Sequence, residues 1–146
     1  MGISTDAILA YGYDLGDDPD VDWWANRDED DEEESDFGEV ATNKMLESIG
    51  FTEKWVSGID DEYFTRKRNA EGQLGVEIIY HCSYDYPMYI LAAKEIRAYR
   101  GDVTVIEMSD LLINIEWDDK LARALQSLGI KPINEYPQWM LVSMWG

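Results

Sequence analysis

Cysteine and histidine are almost missing from this chain of 146 residues: Cys82 and His81 are the single examples of each. One cysteine excludes an internal disulfide, so packing has to hold the fold, and a reducing interior is the natural setting. One Cys and one His also fall short of the four ligands of a structural zinc site. Positive charge is scarce too, with 12 Lys and Arg against 31 Asp and Glu and a net charge of −19. Direct nucleic-acid binding rests on Lys and Arg displacing counterions from phosphates, and this composition opposes it. Anionic membrane surfaces are disfavoured for the same reason. No uninterrupted apolar run approaches the ~18 residues of a membrane span. The opening stretch MGISTDAILAYGYDLG lacks the basic start and long apolar core of a signal peptide. Neither GxGxxG nor GxxxxGK[ST] occurs, so no phosphate cradle is written into the chain. These absences together predict a soluble protein of the cytoplasm with no convincing catalytic signature.

What is present is a globular composition, 45% hydrophobic with six Trp, nine Tyr and three Phe, at the length of one domain. TDAILAYGYDL opens with an apolar run, Ala7 to Tyr11, that reads as a buried strand, after which Gly12, Gly16 and Pro19 break the pattern and admit a long loop. FGEVATNKMLESIG places Val40, Ala41, Met45, Leu46 and Ile49 at helical spacing, with Gly50 just past the end. A second helix, favoured over a hairpin turning at NAEG, puts Ile59, Tyr63, Ala70 and Leu74 on one face, capped by Asp60 or Asp61 and ended by Gly75, although Gly72 costs it up to ~1 kcal/mol. WDDKLARALQSLGI is the third, with a stripe of Leu121, Ala124, Leu125 and Leu128, Asp118 or Asp119 as N-cap and Gly129 as the stop. Val76–Cys82 and Met88–Ala92 read as strands around a break at Asp85–Pro87, and DVTVIEM and LLINIEW as shorter extended pieces. QWMLVSMWG, apolar on both faces, reads as a strand near the sheet centre. The expected fold is α/β or α+β, a single domain over residues 1–146. It has a mixed sheet of about four to five strands, three helices and an acidic loop at 17–36 after the first strand.

That loop carries the charge. From Asp14 to Glu39 there are fourteen acids and one base, Arg27, which is −13 of the total −19. Its candidate partner-binding residues are Asp17, Asp18, Asp20, Asp22, Trp23, Trp24, Asp28, Glu29, Asp30, Asp31, Glu32, Glu33, Glu34 and Asp36. A loop of about twenty residues is longer than compact domains tolerate without a functional or disordered reason. Two adjacent indoles have no use in a segment meant only to stay dissolved. Packed back on the domain, Trp23 and Trp24 anchor the loop and turn its carboxylates into a patterned surface; exposed, they are contacts for a partner. Anchoring is the expectation, and a basic protein the expected partner.

Other chemistries compete with this one. From Asp18, DPDVDWWANRDE puts Asp18, Asp20, Asp22, Asn26 and Glu29 at oxygen-ligand places of an EF-hand loop, giving a calcium reading through Asp18, Asp20, Asp22 and Glu29. Trp23 stands where the sharp turn of such a loop calls for Gly. His81, Ser83 and Asp85 have the residue types of a triad on one strand face, but neighbours on that face lie about 6–7 Å apart, beyond hydrogen bonding. TRKRN is a short basic cluster expected on a solvated helix face. Asp6, Glu77, Glu107 and Glu116 are acids that a fold could gather into a magnesium-dependent site, although their spacing singles out none of them.

Two stretches, STDAILAYGYDLG at residues 4–16 and HCSYDYPMYILAA at 81–93, resemble small acidic proteins of unassigned function encoded by phages of actinobacteria. They cover about a fifth of the chain. The resemblance implies a phage accessory protein acting in the host cytoplasm, or a virion component, and brings no catalytic residues with it. The function expected is therefore a non-enzymatic protein that presents an acidic surface to a basic site on a host protein, DNA mimicry being its extreme form. No cofactor is expected on this reading.

Overall fold

The computed structural model describes residues 5–26, 36–54, 56, 58 and 62–145. The first strand, β1 (Thr5–Gly16), is followed by a single helical turn, α1 (Asp22–Ala25), and two helices, α2 (Phe37–Ser48) and α3 (Tyr63–Leu74). A hairpin comes next, β2 (Glu77–Ser83) and β3 (Pro87–Tyr99), then a short 3-10 turn at Met108–Leu111, α4 (Ile115–Leu128) and β4 (Gln138–Trp145). The architecture is α+β, a mixed four-stranded sheet with helices packed on it.

Strand order is β1-β3-β2-β4, closed into a barrel. β1 lies between β3 and β4 and is antiparallel to both, and β2 is antiparallel to β3. Closure is the one parallel contact, Cys82 beside Met144 and Ser83 beside Trp145. Cys82 there has φ 76, the sole non-glycine in the left-handed region among the described residues, a backbone that costs an L-residue roughly 1–2 kcal/mol. Strand alternation separates two cores. Ile8, Ala10, Ile79, Ile90, Ala92 and Met144 fill the barrel, with Met140 and Val142 against them. On the outside Tyr11, Tyr13, Leu15, Tyr89 and Leu91 meet the buried faces of α2 and α4.

The helices form where the apolar spacing predicts them. α2 buries Phe37, Ala41, Met45 and Leu46, α3 buries Tyr63, Ala70 and Leu74, and α4 buries Leu121, Ala124 and Leu128. Of the expected stripes, Val40 and Leu125 are only half-buried, and Ile49 falls beyond the end of α2 and is exposed. Gly75 and Gly129 end α3 and α4 in the left-handed conformation. The residues expected to cap α3, Asp60 and Asp61, lie outside the described residues, as does Ile59. α4 departs from expectation at its start. Asn114, not Asp118 or Asp119, caps it by accepting from the Glu116 N–H at 2.9 Å, so LLINIEW is a turn and a first helical turn. Asp118 serves instead as the acceptor for the Tyr11 hydroxyl at 2.7 Å. Burial and then this bond push the Tyr11 pKa up to about 12. Tyr11, Trp117 and Trp139 stand within 6.4 Å of one another around that contact, seating α4 on β1 and β4.

Two more expectations change. Gly12 does not end the first strand, because β1 runs on to Gly16 with a register shift against β3 between Tyr11 and Gly12. DVTVIEM joins no sheet among the described residues, since β3 extends to Tyr99 and the chain then turns away. β4 is flanked on both sides, but barrel closure gives it a wet outer face. Leu141 is 75% exposed and Trp145 59%.

Candidate functional site: an anchored acidic surface

The acidic segment leaves the sheet at Gly16. The Gly16 N–H donates to the Asp14 carboxylate at 2.9 Å and so sets the turn. Asp17, Asp18, Asp20 and Asp22 are exposed or half-exposed to solvent, while Pro19 between them is buried and Val21 half-buried. Apolar residues on one side of this short run hold it to the domain and leave the carboxylates on the other.

Trp23 and Trp24 do most of the holding. The Trp23 indole N–H donates to the Leu128 carbonyl at 2.7 Å, an otherwise orphan acceptor in the last turn of α4. Its ring stacks on Phe37 with centroids 5.7 Å apart and planes 12° off parallel, and the Lys44 ammonium lies 5.2 Å from its centroid. Trp24 meets the same Phe37 edge-on at 5.3 Å. Phe37 is fully buried and touches Tyr89 of β3 at 4.6 Å, which carries the anchor through to the sheet. The expectation that the paired tryptophans pack back on the fold holds in the structure. A one-turn helix with two aromatic contacts and a hydrogen bond is fixed by tertiary packing, since a free peptide of that length would not stay helical.

At the far end of the segment, Asp36 caps α2. Its carboxylate accepts from the Glu39 N–H at 2.8 Å and faces the positive end of the helix. The two ends of the acidic stretch therefore meet at one residue, Phe37, which follows the Asp36 cap and receives both indoles. Asp28, Glu29, Asp30, Asp31, Glu32, Glu33 and Glu34 lie outside the described residues.

Phe37 and an adjoining cleft are the parts that sequence reasoning missed. The cleft, about 430 Å³, opens beside Asp36 and Glu39 and is walled by Tyr80, Tyr84 and Tyr89, with Glu71 and Lys67 on its rim. The Tyr80 and Tyr84 rings are 5.8 Å apart. Burial, then a hydrogen bond with Tyr84, raises the Tyr80 pKa. An aromatic placed directly after a run of acids and a cap was the available signal for Phe37. The cleft had none, because its tyrosines come from a hairpin some forty residues downstream.

Among the described residues the other candidates do not assemble. Asp18, Asp20 and Asp22 of the calcium reading are each exposed, and its fourth ligand, Glu29, lies outside the described residues. No three His, Cys, Asp or Glu residues among those described are placed to hold a metal ion. His81 is half-buried; burial lowers its pKa against the pull of Asp14. Ser83 is occupied in the hairpin turn, its hydroxyl accepting from the Tyr86 N–H at 3.0 Å. In TRKRN, Arg66 clasps Glu53 at 2.7 Å on an open helix face. Of the four scattered acids, Asp6 and Glu77 share only the influence of Arg97. Arg97 stands 3.2 Å from Asp6 and 2.7 Å from Glu95, which is a charge network tied by a base. Glu107 closes the box that caps the 3-10 turn and Glu116 sits exposed in the first turn of α4. No described helix is long and apolar enough to cross a membrane.

No protein-family model matches this chain, and neither does any curated protein or solved structure. Function has to be argued from the surface itself.

Proposed function

We propose that this is a non-enzymatic phage accessory protein that presents a fixed acidic surface to a basic site on a host protein in the bacterial cytoplasm. The observation that carries this reading is the docking of Trp23 and Trp24 on Phe37 and the Leu128 carbonyl. Carboxylates on a tether repel one another and must give up conformational freedom on binding. Carboxylates on a backbone pinned beside the tryptophan anchor, as those of Asp17, Asp18, Asp20 and Asp22 are, keep their spacing, so the partner meets a preorganised negative field there. Duplex DNA carries about one charge per 1.7 Å of axis, and the −13 concentrated between Asp14 and Glu39 is enough in number for a short mimic of it. The tyrosine-walled cleft beside Asp36 and Glu39 suits a lysine or arginine side chain from such a partner, through ring faces and carboxylates together.

Binding of this kind is lost as salt rises, because exposed ion pairs are screened. The test is capture from host lysate at low and high salt with wild type, with Asp20→Asn/Asp22→Asn, and with Trp23→Ala/Trp24→Ala. The neutralised variant is expected to hold its partner about tenfold less tightly at low salt. The tryptophan variant weakens capture with no change in net charge, because it frees the front anchor. Duplex DNA competes for the captured protein if the mimicry form is right. A partner retained equally at high salt, or held equally by both variants, sinks the reading.

A further inference from the structure

Residues 103–106, Val-Thr-Val-Ile, have the composition of a strand and no strand to pair with. Among the described residues they make no backbone–backbone hydrogen bond. The contact that holds them is the Thr104 hydroxyl donating to the Arg97 carbonyl at 3.0 Å. Their side chains face water, and so do the apolar ones that follow. Val103 is 90% exposed, Met108 80% and Ile115 78%, with Val105, Leu112 and Ile113 all above half. Single exposed apolar residues are ordinary on a protein surface, but six in thirteen consecutive positions are not.

We infer that residues 102–115 form the contact surface of a homodimer, a second copy of this chain covering the segment. Area is the first reason. These six residues together expose on the order of 800 Å², the size of one partner's share of a standard-size specific interface. The free backbone is the second. A second copy offers the same unpaired stretch, and a two-fold axis lets the two stretches satisfy each other as antiparallel strands. Position is the third. Thr104 ties the segment to β3 at Arg97, and the Leu111 carbonyl accepts from the Trp139 indole of β4 at 3.1 Å. Those two anchors flank the row Ile96, Leu9 and Leu141, paired across β3, β1 and β4 on the outer face, where Leu141 extends the apolar surface. The segment lies at the N-terminal end of α4 and the Trp23 anchor at its C-terminal end, about 20 Å away along the helix. A dimer made here leaves both acidic surfaces free.

This surface is independent of the acidic one, and salt separates them. Two chains of charge −19 repel, so screening strengthens self-association while it weakens binding to a basic partner. Sedimentation equilibrium of the full chain is expected to give twice the 16.8 kDa chain mass, with tighter association at high salt. Val105→Asp, at an exposed position that the monomer does not pack, weakens association about tenfold or more and leaves the melting curve at dilution unchanged. Phe64→Ser, an exposed apolar residue on α3, leaves association as in wild type. A wild type that sediments as monomer at every concentration and salt overturns the inference. So does a Val105→Asp variant that dimerises as tightly as wild type, a Phe64→Ser variant that loses the dimer equally, or self-association that weakens with salt.

Discussion

Gly12 is the position where one atom decides the most. A Cβ there would sit 1.8 Å from the Leu91 carbonyl oxygen and 3.0 Å from the Ala92 Cα, backbone that cannot move without opening the β1–β3 ladder. Glycine is therefore required by close approach inside a strand, whereas in the sequence it reads as the strand's end. Gly72 is the counterexample: it lies mid-helix in α3 with nothing within 4 Å of its missing Cβ. Gly12→Ala is expected to cost roughly 3 kcal/mol or more through overpacking, and Gly72→Ala to gain up to ~1 kcal/mol from helix propensity. Urea denaturation of the two variants should give midpoint shifts of opposite sign. Both glycines look alike in the sequence, since what distinguishes them is a neighbour far along the chain.

Pairs of elements set the next group of properties. β2 and β3 bring Glu77 beside Glu95, and the Glu77 carboxyl pKa is raised by burial first, then by the Glu95 charge and a hydrogen bond with it. The folded state then holds the Glu77 proton more tightly than the unfolded chain does. Stability from this group is greatest at acid pH, falls as pH rises from the ordinary carboxylate value through the raised folded one, and stays lower above it. Glu77→Gln should raise the melting temperature at pH 7, and the advantage should vanish as pH falls below about 4. Melts at the two pH values check both the size and the sign. At this scale the sequence was legible wherever the signal was helical. The middles of the α2, α3 and α4 stripes are buried as spaced, although Ile49 lies exposed past the end of α2, and Gly75 and Gly129 stop their helices. It misled where strand composition stood in for pairing. DVTVIEM has β-branched residues in plenty, but among the described residues its backbone pairs with no strand.

Across the whole molecule, charge governs behaviour. A net −19 makes the compact state repel itself, and the repulsion eases as the Debye length shortens. Raising salt from very low to moderate concentration is expected to lift the melting temperature by on the order of 5 °C at dilutions where the chain is monomeric. A melting temperature that falls with salt would mean that exposed pairs such as Arg66 with Glu53 outweigh the net repulsion. The same field sets opposite salt responses for the two proposed contacts, weaker for a basic partner at the acidic surface and stronger for a second copy at residues 102–115.

Local physics settled what the sequence determined alone: roughly where the three long helices run and where α3 and α4 stop, that no internal disulfide can form, and that most of the charge gathers between Asp14 and Glu39. Each of those is decided within a turn or two of chain, or by composition. Tertiary structure decided the rest. It joined Tyr11 to Asp118 across 107 residues and the Trp23 indole to the Leu128 carbonyl across 105. It also closed the barrel through Cys82 and Met144 and left residues 103–106 without a backbone partner among the described residues. Such contacts depend on which strand edges and helix ends arrive together once two cores have packed, and residue spacing does not encode that arrival.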